Sequence, residues 1–199
     1  MFDNDLPSGF NISGDIAIDT ETMGLNLQRD RLCLLQISNG NGNAVLINFI
    51  NKNYDAPNLK KLLLDKSKMK IFHFARFDLA AIKQYLQVDL ENIFCTKIAS
   101  KLVRTYTDSH GLKDLCRELL GIQISKQQQS SYWGSDNLSK DQKEYASKDV
   151  VYLHQIRDIL HEMLVKENRL VIATKIFAFL PVRAQLDLMG WNDIDIFMH

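Results

Sequence analysis

Two acidic residues near the N-terminus have the types and the spacing of metal ligands. Asp19 and Glu21, in the stretch IDTETMGL, are separated by one residue and follow the apolar run from Ile16 to Ile18. Residues two apart in a strand project from the same side, and two carboxylates there repel each other unless a cation lies between them. The pair therefore outlines a divalent-metal site, although two exposed acids in a turn would have the same spacing.

Three further polar residues extend this pattern along the chain. Asp78, in FHFARFDLAA, is expected in the first turn of a helix that follows a strand, where exposed amides alone also stabilise an acid. In EYASKDV, Tyr145 precedes Asp149 by four residues, so both side chains lie on one face of a helix, a turn apart. A solvated acid and a rim aromatic are the ordinary alternatives for this pair, and each residue alone is a weak indication.

The elements that must position these residues begin with strands. The run from Ile16 to Ile18 predicts a strand that ends in Asp19. Two runs rich in β-formers, Leu32 to Ile37 and Ala44 to Phe49, flank the sequence SNGNGN and predict a hairpin, so the chain is expected to open with a three-stranded antiparallel meander. A fourth strand is expected from Lys70 to Phe74.

Helices are predicted to dominate after Asp89. Short helices are expected from Asn58 to Leu64, over FDLAAIKQYL, from Thr96 to Val103 and from Leu112 to Leu120, the last closed by Gly121. Strands first and helices after favour an α/β or α+β domain with a mixed sheet.

The longest predicted helix carries the tyrosine and the last aspartate. Ser139 and Gln142 form a capping box, so this helix should begin near Lys140 and, without Gly or Pro, run to about Val165. Its buried stripe is predicted at Ala146, Val150, Leu153, Ile156, Leu160 and Met163. A further helical segment is expected from about 166 to 199.

The composition excludes several classes of protein. With 24 Lys plus Arg against 24 Asp plus Glu, there is no molecule-wide basic field to hold a long polyanion, so nucleic-acid contact must come from a local patch. Cys33, Cys95 and Cys116 have no metal-ligand spacing, which favours a reducing compartment. No signal peptide and no apolar run of about 18 residues is present, so we expect one soluble cytoplasmic domain over residues 1–199.

Taken in order, the acidic motifs resemble those of a known nuclease superfamily. A strand-end DxE, an Asp opening a helix and YxxxD on a long helix are similar to the three exonuclease motifs of the tyrosine-bearing DEDD exonucleases. The resemblance implies an RNase H-like α/β fold, a mixed sheet flanked by helices, and 3′-to-5′ hydrolysis of nucleic acid. It implies two Mg²⁺ or Mn²⁺ ions, about 3.5–4 Å apart, held by Asp19, Glu21, Asp78 and Asp149, with Tyr145 orienting the attacking water.

Within that superfamily the chain resembles the RNase D group, and most of all the compact bacterial nano-RNase C proteins. The resemblance runs from about Asp15 to the C-terminus and is carried by CTKIASKL, RTYTDSHGLK, ISKQQQSS and FLPVRAQLDLMGW. RNase D has helical HRDC domains after its catalytic core, and we expect none here. The resemblance therefore implies an exoribonuclease of short oligoribonucleotides, including dinucleotides, assembled as an octameric ring.

Possible substrate contacts flank the first two motifs. Leu25 corresponds to the apolar wedge between the two terminal bases in related exonucleases, and a core leucine is the alternative. His73 and Arg76 lie just before Asp78 and are candidates for contact with a phosphate, although a strand-end histidine is often satisfied within the core.

A basic helix face and a polar loop are the remaining candidates. Lys97, Lys101 and Arg104 follow at i, i+4 and i+7, which predicts one basic face that either is simply solvated or caps a terminal phosphate. The loop with Gln127 and Trp133 is expected to bond to and stack on a splayed base. Relatives of RNase D commonly have Ser-Asp-Trp where this chain has Ser-Tyr-Trp, which leaves the contacts of this loop open.

Three functions remain open at this point. The first is an exonuclease of short RNA, with short DNA as a further substrate. The second is a tRNA 3′-end-trimming exonuclease like RNase D. The third is an inactive RNA-binding module, which five costly polar groups held together argue against.

Overall fold

The computed structural model describes residues 1–124 and 131–199, which form a mixed sheet flanked by helices. This part of the chain contains six strands in the order β1-β4-β3-β2-β5-β6. Their bounds are β1 Phe2–Asp3, β2 Ile16–Thr22, β3 Leu32–Ser38, β4 Val45–Asn48, β5 Lys70–Phe72 and β6 Ile93–Cys95. The predicted α/β class is confirmed.

The predicted meander forms the centre of the sheet. Strand β3 pairs antiparallel with both β2 and β4, while β5 joins β2 and β6 joins β5 in parallel. Strand β2 does not end at Asp19 as predicted, because Glu21 and Thr22 still pair with β3, across an irregularity between them. Polar residues continue this strand because its end lines a cleft, so the apolar pattern stops before the hydrogen-bonded ladder does.

Seven helices occur within the described ranges. They are α1 Pro57–Leu63, α2 Ala75–Leu86, α3 Thr96–Val103, α4 Leu112–Leu120, α5 Lys140–Val151, α6 Leu153–Lys166 and α7 Leu170–Leu186. Gly121 follows α4 with φ 70°, the left-handed conformation expected of a glycine that closes a helix. A 3₁₀ turn, Ile50–Lys52, precedes α1, and a π turn, Asp187–Trp191, follows α7.

The predicted long helix is two helices that meet at Tyr152. The capping box is present at its start, with Ser139 accepting from the Gln142 amide and the Gln142 side chain accepting from the Ser139 amide. Helix α5 packs on β2, β3 and β4, whereas α6 packs on α3 and α4. These different partners account for the break, which no Gly or Pro marks. Leu164, rather than the predicted Met163, completes the fully buried stripe.

The two faces of the sheet are covered differently. On one face, Leu34 and Leu46 pack with Ala146 of α5 and with Trp133. The other face, which includes Ile18, packs against α1 and α2 in the main core. Across the described ranges, no helix combines the length and the apolar character needed to span a membrane.

Candidate metal centre and substrate cleft

Three carboxylates converge where β2 meets α5. One oxygen from each of Asp19, Glu21 and Asp149 lies within 4.8 Å of the others. Strand β2 places the first two on one side by its two-residue period, and α5 brings the third because Ala146 and Val150 anchor that helix on the sheet. The predicted pairing of DxE with YxxxD is therefore present as a cluster in space.

The fourth acid reaches this cluster from α2. Asp78 lies in the first turn of that helix and is 4% exposed, and its Oδ1 accepts a hydrogen bond of 2.7 Å from Thr20 Oγ1. Its charge is near enough to raise the pKa of Asp19. Thr20 was missed by the sequence analysis, because its side chain is out of phase with Asp19 and Glu21.

The enclosed position of these acids leaves their negative charge uncompensated. Burial, followed by the charges of Asp149 and Asp78, raises the pKa of Glu21 to about 9. Burial also raises the pKa of Asp78 and of Asp149 to about 7, and it raises the pKa of Asp19 well above its ordinary value. A compact set of carboxylates whose ionisation is unfavourable without a positive charge nearby fits a divalent cation such as Mg²⁺, which prefers hard oxygen ligands.

Tyr145 lies beside the cluster, with its hydroxyl near enough to Asp149 to oppose the rise in the pKa of that carboxyl that burial causes. Its ring is held against Trp133, with the ring centroids 6.1 Å apart. Burial and the charges of Asp149 and Glu21 raise the pKa of the hydroxyl, so it stays protonated. It can therefore orient a water molecule by hydrogen bonding, but it cannot act as a base near neutral pH.

The acids open into a cleft of about 330 Å³. Its wall also contains His73, Phe74, Lys97 and Lys113, of which Phe74 and Lys113 were not singled out from the sequence. The Lys97 ammonium lies 4.3 Å from the centroid of the Phe74 ring. Two lysines therefore face an acidic centre across one small cleft, which is a suitable arrangement for a phosphodiester. Lys113 precedes Asp114 at a helix start, and nothing in that local pattern marks it.

A larger cavity of about 670 Å³ adjoins the cleft at Phe74. The predicted wedge Leu25 lines it and is 87% exposed. Arg76 also lines it, but its guanidinium pairs with Asp187 and donates to the Asn192 carbonyl at 2.6 Å. The C-terminal segment thus holds Arg76 at the cavity wall.

The remaining predicted substrate residues have different positions. His73 lines the cleft with Nδ1 2.9 Å from Thr96 Oγ1, and Lys101 is exposed but lies outside the cleft wall as described. The predicted basic face is wrong for Arg104, because α3 ends at Val103 and the Arg104 side chain turns inward to Ser100, Ser109 and Glu118. Buried arginine is stable there only because these acceptors surround it.

The loop that contains Gln127 and Trp133 provides fewer substrate contacts than predicted. Trp133 is 3% exposed and packs in the core under Tyr145, so the prediction that it stacks on a splayed base is wrong. Its ring is more useful there as a support for the tyrosine. Gln127 lies outside the described residues.

Comparison with known proteins identifies the family to which this site belongs. A family model described as a 3′–5′ exonuclease matches residues 4–165. The chain belongs to this family. The resemblance to DEDD exonucleases is thereby confirmed, and the cluster of acids at the end of β2 lies inside the matched region.

Several solved structures are similar to this chain over most or all of its length. Brucella melitensis NrnC bound to pGG is 53% identical, with a TM-score of 0.96, over 100% of this chain and 97% of that one. The same protein with bound Mg²⁺ is 52% identical, with a TM-score of 0.94 and the same coverage. Escherichia coli RNase D, at 24% identity and a TM-score of 0.75 over 90% of this chain and 48% of that one, shares the fold.

A curated relative in the exonuclease family is similar over part of its own length. Ribonuclease D of Gluconacetobacter diazotrophicus is 34% identical over 156 residues, which are 78% of this chain and 39% of that protein. The chain thus spans about two fifths of this relative.

Proposed function

We propose that this protein is a metal-dependent 3′–5′ exoribonuclease that degrades short oligoribonucleotides, including dinucleotides, to nucleoside monophosphates. The observation that carries the proposal is the convergence of Asp19, Glu21 and Asp149 within 4.8 Å at the base of a small cleft. Family membership supports the direction of cleavage. We take residues 1–199 as one exonuclease domain, with its helical C-terminal segment from about 166 to 199.

Each side chain of the centre has a separate task in this proposal. Asp19, Glu21, Asp78 and Asp149 hold two divalent cations, Mg²⁺ or Mn²⁺. The chemistry that such cations supply when bound is the activation of water and the neutralisation of charge at the phosphate. The protonated Tyr145 hydroxyl orients the attacking water.

The substrate contacts follow from the cleft and the cavity beside it. Lys97 and Lys113 supply positive charge to the phosphodiester, and Leu25 separates the terminal bases. His73 and Arg76 remain proposed contacts at the walls. Lys101 is exposed and solvated, and we give it at most a long-range electrostatic role.

Short substrates suit this molecule better than long ones. The net charge of +0 supplies no extended basic surface, and the cleft is small. Brucella melitensis NrnC, which the chain covers almost completely, was solved with pGG. We propose the cytoplasm as the place of action, since Cys33, Cys95 and Cys116 are free thiols.

A homo-oligomer, an octameric ring by family analogy, completes the proposal. Its support in this chain is the amount of apolar surface on α7 and the segment after it. Phe179 and Phe197, whose ring centroids lie 6.1 Å apart, are 37% and 78% exposed, and the adjacent Met198 is 79% exposed. Large exposed apolar side chains in one region are typical of protein contacts.

The likeness to RNase D makes trimming of tRNA 3′ ends the second candidate function. Purified protein should be given pGG, the matching deoxydinucleotide and a tRNA precursor in parallel, with Mg²⁺ and with EDTA. We expect GMP from pGG, with no turnover in EDTA. Faster trimming of the precursor would favour the RNase D function, and binding of all three without hydrolysis would favour an inactive RNA-binding module.

A further inference from the structure

The middle of β3 carries a buried side-chain amide that makes no hydrogen bond within the described residues. Gln36 is 0% exposed, and within the described residues neither its Nε2 nor its Oε1 has a hydrogen-bond partner. A buried polar group left unsatisfied destabilises the fold, and nearly all such groups in native proteins are paired. A glutamine at this position therefore needs a reason outside the packing.

The sheet register places this amide behind the metal centre. Gln36 is the cross-strand partner of Asp19 on β2 and of Leu46 on β4. Directly opposed residues in a sheet project to the same face. Leu46 packs with Ala146 of α5, so the Gln36 side chain lies under that helix, next to the strand position that carries the Asp19 carboxylate.

Packing alone does not call for an amide here. Leu34, two residues earlier on the same face of β3, fills the equivalent space under α5 with an apolar side chain. Methionine has nearly the volume of glutamine and would bury no unsatisfied donor. Directly across the strand pair lies Asp19, whose carboxylate oxygens can accept hydrogen bonds.

We infer that Gln36 is a positioning residue for the metal centre. Its side-chain N–H donates to the Asp19 carboxylate when that group holds a cation, and so fixes the direction of the ligand oxygen. Metal-binding carboxylates commonly have such an outer hydrogen-bond partner. The inference rests on the proposed function, because it requires Asp19 to hold a cation.

The test compares Gln36→Met with Leu34→Met as a matched core control. Mg²⁺ affinity is measured by calorimetric titration of each full-length variant, and unfolding is followed by heating in EDTA. We expect Gln36→Met to unfold in EDTA no earlier than the wild type, yet to bind Mg²⁺ roughly 10- to 100-fold more weakly, with kcat largely recovered at saturating Mg²⁺. The Leu34→Met variant should keep the wild-type affinity.

Two results separate the failure of this inference from that of the proposed function. If the wild type itself binds no Mg²⁺, the proposed function fails. If it binds Mg²⁺ and Gln36→Met binds equally well, Gln36 has no positioning role. Should the variant not fold, a crystal structure of the wild type with Mg²⁺ decides the matter, since a Gln36 Nε2 beyond hydrogen-bond reach of Asp19 overturns the inference.

Discussion

At the scale of single residues, the groups that bind a cation are different from the group that orients the attacking water. Asp19 supplies an oxygen to a crowded acidic cluster, so its contribution is electrostatic, while Tyr145 supplies a protonated hydroxyl beside Asp149. Removal of the Asp19 charge should therefore weaken cation binding. Removal of the Tyr145 hydroxyl should slow the reaction without changing cation binding. The two following variants test this division.

Asp19→Asn is expected to lose activity because it weakens cation binding. The asparagine amide keeps the shape of the carboxylate but removes a negative charge that binds the cation and that also repels Glu21 and Asp149. We expect a loss of more than about 100-fold in turnover, weaker Mg²⁺ binding, and thermal stability in EDTA no lower than that of the wild type. Hydrolysis of pGG and calorimetric Mg²⁺ titration measure both effects, and full turnover by this variant would refute the metal mechanism.

Tyr145→Phe is expected to bind Mg²⁺ normally and to hydrolyse slowly. The phenylalanine ring keeps the contact with Trp133 but lacks the hydroxyl beside Asp149. Loss of the group that positions a reacting water is expected to slow the reaction by about 100-fold. Single-turnover hydrolysis gives the chemical rate directly. An unchanged rate with normal Mg²⁺ binding would show that the hydroxyl has no role in the reaction.

The resemblance to known exonuclease motifs predicted which acids would meet, but the sequence did not show which side chains face inward. Strand and helix periods predicted only that Asp19 and Glu21 project from one side, and likewise Tyr145 and Asp149. Asp78 joined them through the resemblance alone. Arg104 was placed wrongly because one residue decides whether a helix continues, and Trp133 because a loop aromatic has no period. Thr20 and Gln36 gave no pattern at all, since their partners come from other elements.

At the scale of elements, the stability of helix α5 determines whether two site residues are held in place. It carries Tyr145 and Asp149, and its capping box holds its first turn. The box was predictable because it is a local sequence pattern. The end of α5 at Tyr152 was not, because it depends on which neighbours α5 and α6 pack against.

Ser139→Ala should therefore destabilise the protein and disturb the centre slightly. It removes the hydrogen bond from the Gln142 amide, at a cost of about 1 kcal/mol in the free energy of unfolding. Denaturant unfolding measures the loss. Ser147→Ala is the control, since its hydroxyl bonds to the Lys143 carbonyl inside the same helix. Equal stability of both variants would contradict a role for the cap.

At the scale of the whole molecule, the acidic cluster couples stability to pH. Burial raises the pKa of Glu21 to about 9 and that of Asp78 and Asp149 to about 7, above their ordinary values of 4.5 and 3.8. Between those limits the folded protein binds more protons than the unfolded chain. The stability that this linkage contributes is therefore complete below about pH 4 and is lost as the pH rises through 7 and then 9.

A cation should oppose this loss of stability at higher pH, because it binds the ionised acids. In EDTA we expect Tm to fall between pH 5 and 9, and with saturating Mg²⁺ we expect the gap in Tm between the two conditions to widen over the same range. Thermal unfolding across this series measures it. Asp19→Asn, with one fewer acid in the cluster, should show a shallower fall in EDTA and a smaller gap. A Tm gap that stays constant or narrows with pH would contradict this account. Protons and Mg²⁺ compete for the same carboxylates, so Mg²⁺ should bind more tightly as the protons leave.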